Sequence, residues 1–363
     1  MTSSTPALTS LRDIKFGHIL LWMPNWIGDV ALAIPSVQSL RAHYPDARIT
    51  AAARVPAAEI LSDHPAVDTV IEIPQKENGG FWEQIRFAQG LKKYQFDLSV
   101  AFPNSFRSAF MTFLSGARTR LGYDTEGRGI FLTDPVAKVS QKEYRIDYFF
   151  KILSPLGLTA LDRTYQPFLR KETLRAVDEK LALLRIDPQD FLITMHPGAS
   201  KPERGWHTER FLILCQRLVK EYRAKIILLG NENDSPNLIK IQKSCAPGTV
   251  HFQPGLGLRE AAAAIQKSKL FIGNDSGMMH LAAMVGTPVA AIFGPGSPES
   301  TGPCIDPQKS VAITRNYPCS PCRQNFFKEC KPSAHNKPYC LEDISVKEVI
   351  EAVDGLIRRI RKT

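Results

Sequence analysis

The sequence has no apolar run long enough to span a membrane. Stretches such as Leu281–Val285 and Val289–Phe293 are cut by Gly and Pro, well short of the roughly 18 residues that a spanning helix requires. The opening MTSSTPALTSLRDIK holds no charged leader followed by an apolar stretch, so no secretory signal is expected and a cytoplasmic location follows. Neither G-x-G-x-x-G in a strand-to-helix turn nor G-x-x-x-x-G-K-[ST] occurs, which removes the usual support for dehydrogenase and P-loop readings. D-x-D is also missing, and with it the carboxylate pair that commonly holds a divalent cation against a pyrophosphate.

What is present is ordinary globular usage. The 363 residues include 46 Lys+Arg against 36 Asp+Glu and are 44% hydrophobic, enough for about two domains and unlike disordered, collagenous or disulfide-stapled chains. The net charge of +10 favours anionic partners without choosing among nucleic acid, phospholipid surface and phosphorylated small molecules.

Along the chain, GHILLWM (residues 17–23) reads as a strand that passes through Pro24-Asn25 and Gly28 into a helix pattern reaching Leu40. Strands are expected at Arg48–Ala53, Thr69–Ile73 and Leu98–Phe102, with a helix near Phe81–Leu91. A second series begins at Phe191–Met195 and continues through Lys225–Leu229, Leu270–Ile272 and Val289–Phe293, each strand ending in a glycine-rich turn. This alternation implies an α/β fold, two Rossmann-like domains facing a central cleft, with ligand crevices at the carboxyl ends of the strands. The expected boundaries are 1–172, 173–345 and a basic amphipathic helix within 346–363 that packs back toward the N-terminal domain.

Gly273-Asn274-Asp275-Ser276-Gly277 lies between a strand and a helix, where backbone N–H groups and a Ser hydroxyl suit an anion. His280 falls one helical turn after Ser276–Gly277, beside the same loop. Further glycine turns occur at Pro197-Gly198 and Gly294-Pro295-Gly296. Arg204 and Lys201, in the loop after the Phe191–Met195 strand, are placed to reach phosphates, Arg204 bidentately. Glu232 directly follows a strand, a position that commonly accepts ribose hydroxyls. Asp29, at the first strand-to-helix turn, is a candidate general base for an attacking hydroxyl. The helix N-terminus favours its ionised form and weakens it as a base, so shelter near Trp26 is expected as an offset. Arg107, Arg118, Arg120, Arg128, Lys142 and Arg145 form a basic set suited to a phosphorylated acceptor.

These residues resemble the ADP-heptose lipopolysaccharide heptosyltransferases, glycosyltransferase family 9, and most of all the heptosyltransferase II branch. The likeness rests on Pro24-Asn-Trp-Ile-Gly-Asp29, Pro103-Asn-Ser-Phe-Arg-Ser-Ala109, His196-Pro-Gly-Ala199, Arg204-Gly-Trp206 and Gly273-Asn-Asp-Ser-Gly277 with His280. It implies the two-domain GT-B architecture, an acceptor-binding first domain, an ADP-heptose-binding second domain, and inverting, metal-independent transfer onto the first heptose of heptosyl-Kdo-lipid A. By that resemblance Asp29 is the base. Ser200, Lys201, Arg204, Glu232, Leu256, Asp275, Ser276, Gly277 and His280 hold the donor, with Arg204 standing where the family has Lys. Asn104, Ser105, Arg107, Arg120 and Arg145 are the expected acceptor contacts. A lipid-anchored acceptor further implies peripheral contact with the inner membrane.

Five of the seven cysteines lie within 304–340. Cys319-x2-Cys322-x7-Cys330-x9-Cys340 is compatible with a structural zinc, although only one C-x-x-C is present and free Cys are often small buried hydrophobes. Such a site with the basic charge frames a rival reading, a zinc-dependent nucleic-acid-binding protein. No aromatic-interleaved basic strip supports it, so no nucleic-acid partner is expected. A I- or III-type heptosyltransferase with a different acceptor and a sugar-nucleotide epimerase are also compatible with the sequence.

Overall fold

The computed structural model describes residues 10–74, 80–138, 143–322 and 324–362. The chain divides into two compact units, Met1–Gln166 and Pro167–Thr363, so the boundary falls just before Pro167 rather than after residue 172.

In the first unit the strands are β1 (His18–Trp22), β2 (Arg48–Ala53), β3 (Thr69–Glu72), β4 (Leu98–Ala101), β5 (Thr119–Asp124) and β6 (Asp134–Ala137), in the sheet order β3-β2-β1-β4-β5-β6. All its pairings are parallel. Ile19, Leu20, Leu21, Leu98 and Val100 are fully buried, as the central strands of a sheet covered on both faces must be. Strand β6 carries Pro135, which an edge position tolerates because it need not donate to a neighbour on its open side. The helix Ile27–His43 follows β1 and is buried over most of Val30–Leu40.

The second unit repeats the plan with β7 (Leu192–His196), β8 (Lys225–Leu228), β9 (Val250–Phe252), β10 (Leu270–Asn274), β11 (Val289–Phe293) and β12 (Ser310–Thr314), ordered β12-β11-β10-β7-β8-β9. Each sheet has the doubly wound order in which the first and fourth strands lie side by side. Loops leaving their carboxyl ends therefore diverge and open a crevice, between β1 and β4 in one unit and between β7 and β10 in the other.

The helix Val346–Ile360 starts at a capping box in which Ser345 and Glu348 satisfy each other's backbone N–H groups. Its buried Val349, Val353, Leu356 and Ile357 join the core of the second unit with Trp206, Ile292 and Leu341. Its apolar stripe is taken up by β11, β12 and the helix Thr208–Tyr222. Among the described residues no helix is long and apolar enough to cross a membrane.

Candidate active site

In the second unit, loops from three neighbouring strands meet at one rim, because β10 pairs with β7 on one side and β11 on the other. Asn274, fully buried at the end of β10, joins two of them. Its Oδ1 accepts from Trp206 N at 3.0 Å, and its Nδ2 donates to Pro197 O at 2.7 Å and Gly198 O at 3.1 Å. Trp206 is in turn pinned by its Nε1 donating to Ile344 O at 2.9 Å. Sequence reasoning gave Asn274 no role of its own, because its partners lie far away along the chain.

Arg204 ends the short 3-10 turn Pro202–Arg204. Its Nη2 donates to the Asp275 carboxylate at 2.8 Å and to Asp275 O at 3.2 Å, with side chains 24% and 8% exposed. Burial pushes the Asp275 carboxyl up and the Arg204 charge opposes this. A Cβ at Gly296 would collide with Asp275 Oδ2, so the third glycine turn is glycine to let its backbone approach this carboxylate.

His280 lies in the first turn of the helix Gly277–Met284 and is 6% exposed. Burial, helped by the Arg204 charge, pushes its imidazole down to about 4, so the ring is neutral at ordinary pH. Its Nδ1 is buried and, among the described residues, has no hydrogen-bond partner, as is true of Arg204 Nε. Ser276 occupies the N-cap of this helix without capping it; its Oγ lies 3.4 Å from His196 Nδ1. The first-turn N–H groups of the helix thus have no side-chain cap. His196, at the end of β7, is also held to about 4 by burial, with Asp234 opposing.

The remaining donor candidates lie further along the same rim. Ser200 and Lys201 are exposed, and the Lys201 ammonium sits over the Phe326 ring at 5.7 Å. Glu232 is exposed at the start of the 3-10 turn Glu232–Asp234, which a capping box between Asn231 and Asp234 fixes after β8. Leu256 is half-buried between β9 and the helix Leu258–Lys267. The sheet order places these loops in the sequence β11, β10, β7, β8, β9.

In the first unit Asp29 is half-buried in the first turn of the helix Ile27–His43. Trp26, at the N-cap of the same helix, is 69% exposed. Asn25, in the same loop, accepts from Arg54 Nε at 2.9 Å. After β4, Asn104 Nδ2 donates to the Tyr148 hydroxyl, and Ser105 caps the helix Phe106–Leu114 by accepting from Ser108 N at 3.2 Å. Arg145 stacks over Tyr148 at 5.1 Å, and Arg107 is exposed over Phe81 at 5.3 Å.

The structure separates the rest of the basic set. Arg128 is 0% exposed. It donates to Tyr123 O at 2.6 Å, to Pro103 O, to Ser108 Oγ at 3.2 Å, and to Ser105 O and Asn104 Oδ1 at 3.3 Å. It therefore shapes the 103–105 loop from beneath. Arg120 is half-buried, and its Nε and Nη1 donate to Phe131 O and Ala117 O, both at 2.7 Å. Arg118 is exposed. Lys142 lies outside the described residues.

Cys319, Cys322, Cys330 and Cys340 line one cavity of about 450 Å3. Burial and the three neighbouring thiols push Cys340 up to about 12. Among the described residues no three His, Cys, Asp or Glu side chains are grouped to hold a metal ion.

A family model described as glycosyltransferase family 9 (heptosyltransferase) matches residues 84–331. Lipooligosaccharide heptosyltransferase 2 of Haemophilus influenzae is 29% identical over 306 residues, covering 80% of this chain and 86% of that protein. The solved E. coli ADP-heptose lipopolysaccharide heptosyltransferase II superposes with a TM-score of 0.75 at 22% identity over 95% of this chain and 99% of that one. A glycosyltransferase family 9 structure from Veillonella parvula superposes with a TM-score of 0.80 at 19% identity, covering 98% and 99%. These solved chains share the GT-B fold found here. With the family model matching more than half of its length, the chain belongs to glycosyltransferase family 9, the heptosyltransferases.

Proposed function

We propose that this protein transfers heptose from ADP-L-glycero-D-manno-heptose to the first heptose of the lipopolysaccharide inner core, with inversion at the anomeric carbon and without a metal ion. The observation that carries the donor half is the cluster around Arg204, where the half-buried Arg204 pairs with the buried Asp275 beside two buried polar atoms, His280 Nδ1 and Arg204 Nε, that no group among the described residues satisfies. Buried polar groups are normally bonded, and diphosphate oxygens at an uncapped helix N-terminus would satisfy these. The rim order supports the same placement. Heptose and diphosphate would lie at the β10 and β7 loops, with Ser200 and Lys201 assisting. Ribose would lie at Glu232 after β8, and adenine near Leu256 after β9.

In this reading Asp29 takes the proton as the acceptor oxygen bonds to C1 of the heptose. The C1–O bond to the diphosphate breaks and its electron pair leaves with ADP. Arg204 and the helix N–H groups stabilise the charge gathering there, which favours the transition state over the bound substrate. Asn104, Ser105, Arg107, Arg120 and Arg145 receive the acceptor. The acceptor heptosyl-Kdo-lipid A is lipid-anchored, so the enzyme works as a peripheral protein at the cytoplasmic face of the inner membrane.

The motifs W-I-G-D and P-N-S-F-R-S-A, with the heptosyltransferase 2 relative, favour this acceptor over that of a I- or III-type enzyme. The test is to incubate the protein with ADP-heptose and non-heptosylated, singly or doubly heptosylated core, and to weigh the products. One heptose added to the singly heptosylated core is expected. Addition only to another core, or conversion of the donor with no acceptor present, overturns the reading.

A further inference from the structure

We propose that the aromatic face of the first unit is a docking surface for an anionic phospholipid bilayer. The proposal deepens the function above by naming the surface that meets the membrane, and rests on that reading for the acceptor's lipid anchor. The helix Phe106–Leu114 packs Met111, Phe110 and Leu114 toward the core of the first unit and still leaves two phenylalanines in solvent. It buries Ser108, Ala109, Met111 and Thr112, whereas Phe106 and Phe113 are 47% and 45% exposed. The helix Gly80–Gly90 behaves alike, burying Gln84 and Ala88 while Trp82 and Phe81 stand 72% and 42% exposed.

These rings form one connected surface. Trp82 meets Phe81 at 6.1 Å, Phe81 stacks on Phe110 at 6.5 Å, and Phe110 meets Phe131 at 5.1 Å. Phe131 also touches Phe106 at 5.1 Å and Phe113 at 5.6 Å. Ile130, beside Phe131, is 77% exposed. A contiguous exposed apolar patch of this kind marks an interaction site, whereas scattered single residues do not.

Charge selects the occupant. The exposed Arg107 guanidinium lies over the Phe81 ring at 5.3 Å, and Arg120, whose Nε and Nη1 donate to Phe131 O and Ala117 O, lies over Phe113 at 5.5 Å; the helix Phe106–Leu114 contains no acidic residue and the helix Gly80–Gly90 contains one, Glu83. Aromatic rings interleaved with Arg suit the head-group region of an anionic leaflet, where the rings enter the acyl boundary and cations meet phosphates. A protein partner with an apolar face would leave those cations without complementary charge.

Tryptophan quenching by vesicles with brominated acyl chains, one set phosphatidylglycerol-rich and one of phosphatidylcholine alone, tests this on the full chain. Binding to the anionic vesicles, weakened by salt, with quenching that Trp82→Phe largely removes, is expected. Phe113→Ser should lower partitioning about tenfold while leaving ADP affinity and circular dichroism unchanged. Quenching unaffected by Trp82→Phe, equal binding to neutral vesicles, no vesicle binding, or a dimer in sedimentation that Phe113→Ser dissolves would each overturn the proposal, the last by assigning the face to a second copy. Its failure is separable from that of the proposed reaction. Phe113→Ser should keep transfer to an acceptor stripped of acyl chains and lose rate only on vesicle-embedded acceptor, whereas a wild-type protein inactive on both while still binding vesicles would refute the reaction alone.

Discussion

The Arg204 guanidinium donates twice to Asp275, to its carboxylate at 2.8 Å and to its carbonyl at 3.2 Å. The cation proposed to meet the donor's diphosphate is thereby oriented in advance, and an orientation fixed before binding lowers the ordering cost of complex formation.

Removing that guanidinium should have two separable effects. Arg204→Ala deletes a charge-assisted contact to phosphate and should weaken ADP binding by about 2–3 kcal/mol. It also leaves the mostly buried Asp275 without its cation, costing about 2 kcal/mol of stability once partial exposure of Arg204 is allowed for. Arg204→Lys should fall between, keeping the charge and losing the fork. Calorimetric titration with ADP and urea melts measure both; unchanged ADP affinity in Arg204→Ala would remove Arg204 from the donor site.

Gly296→Ala should disturb the same pair from the other side. The added methyl would overlap Asp275 Oδ2, so Asp275 must turn away from Arg204 at a cost of about 1–3 kcal/mol. Reduced stability and weaker ADP binding together are expected. A variant that matches wild type in both would show that the loop has room to relax.

Stability should fall on mild acidification. His280 has its imidazole pushed from 6.5 to about 4 by burial, and His196 shifts the same way. Between about pH 6.5 and 4 the unfolded chain therefore binds protons that the native chain refuses. Stability contributed by the neutral rings is intact above about 6.5 and is lost as pH falls toward 4, by up to about 3 kcal/mol for His280. Urea melts across this range should show the slope, and His280→Gln should flatten it. An equal slope in the variant would mean that His280 titrates normally.

Arg128 should matter for the 103–105 loop although it cannot touch a ligand. Arg128→Met keeps the volume and strands the carbonyls of Pro103, Ser105 and Tyr123, for a loss of about 3 kcal/mol. Acceptor KM should rise with the donor KM unchanged, because only the first unit's loop is disturbed. A variant with wild-type stability and acceptor KM would contradict this role.

Strands β1, β2, β7, β8, β10 and β11 were legible because parallel strands buried on both faces read as continuous apolar runs. Strand β5, TRLGYD, and the edge strand β6, DPVA, were not, since polar residues, Gly and Pro interrupt them. The candidate donor loops were legible as glycine turns, but the pairing of Arg204 with Asp275, 71 positions apart, depends on the β7–β10 pairing that only the folded sheet supplies. Arg128 read as one surface cation among several because its partners are backbone carbonyls, which sequence does not mark. The C-terminal helix showed its apolar stripe without showing which sheet would cover it.

The central claim concerns Asp29, and single-turnover transfer by Asp29→Asn tests it most directly. With ADP-heptose and singly heptosylated core, the rate should fall by about 10²–10⁴, the usual contribution of a general base, while ADP affinity stays at the wild-type value. Transfer at close to the wild-type rate would contradict the account, because the attacking hydroxyl would then be losing its proton to some other group.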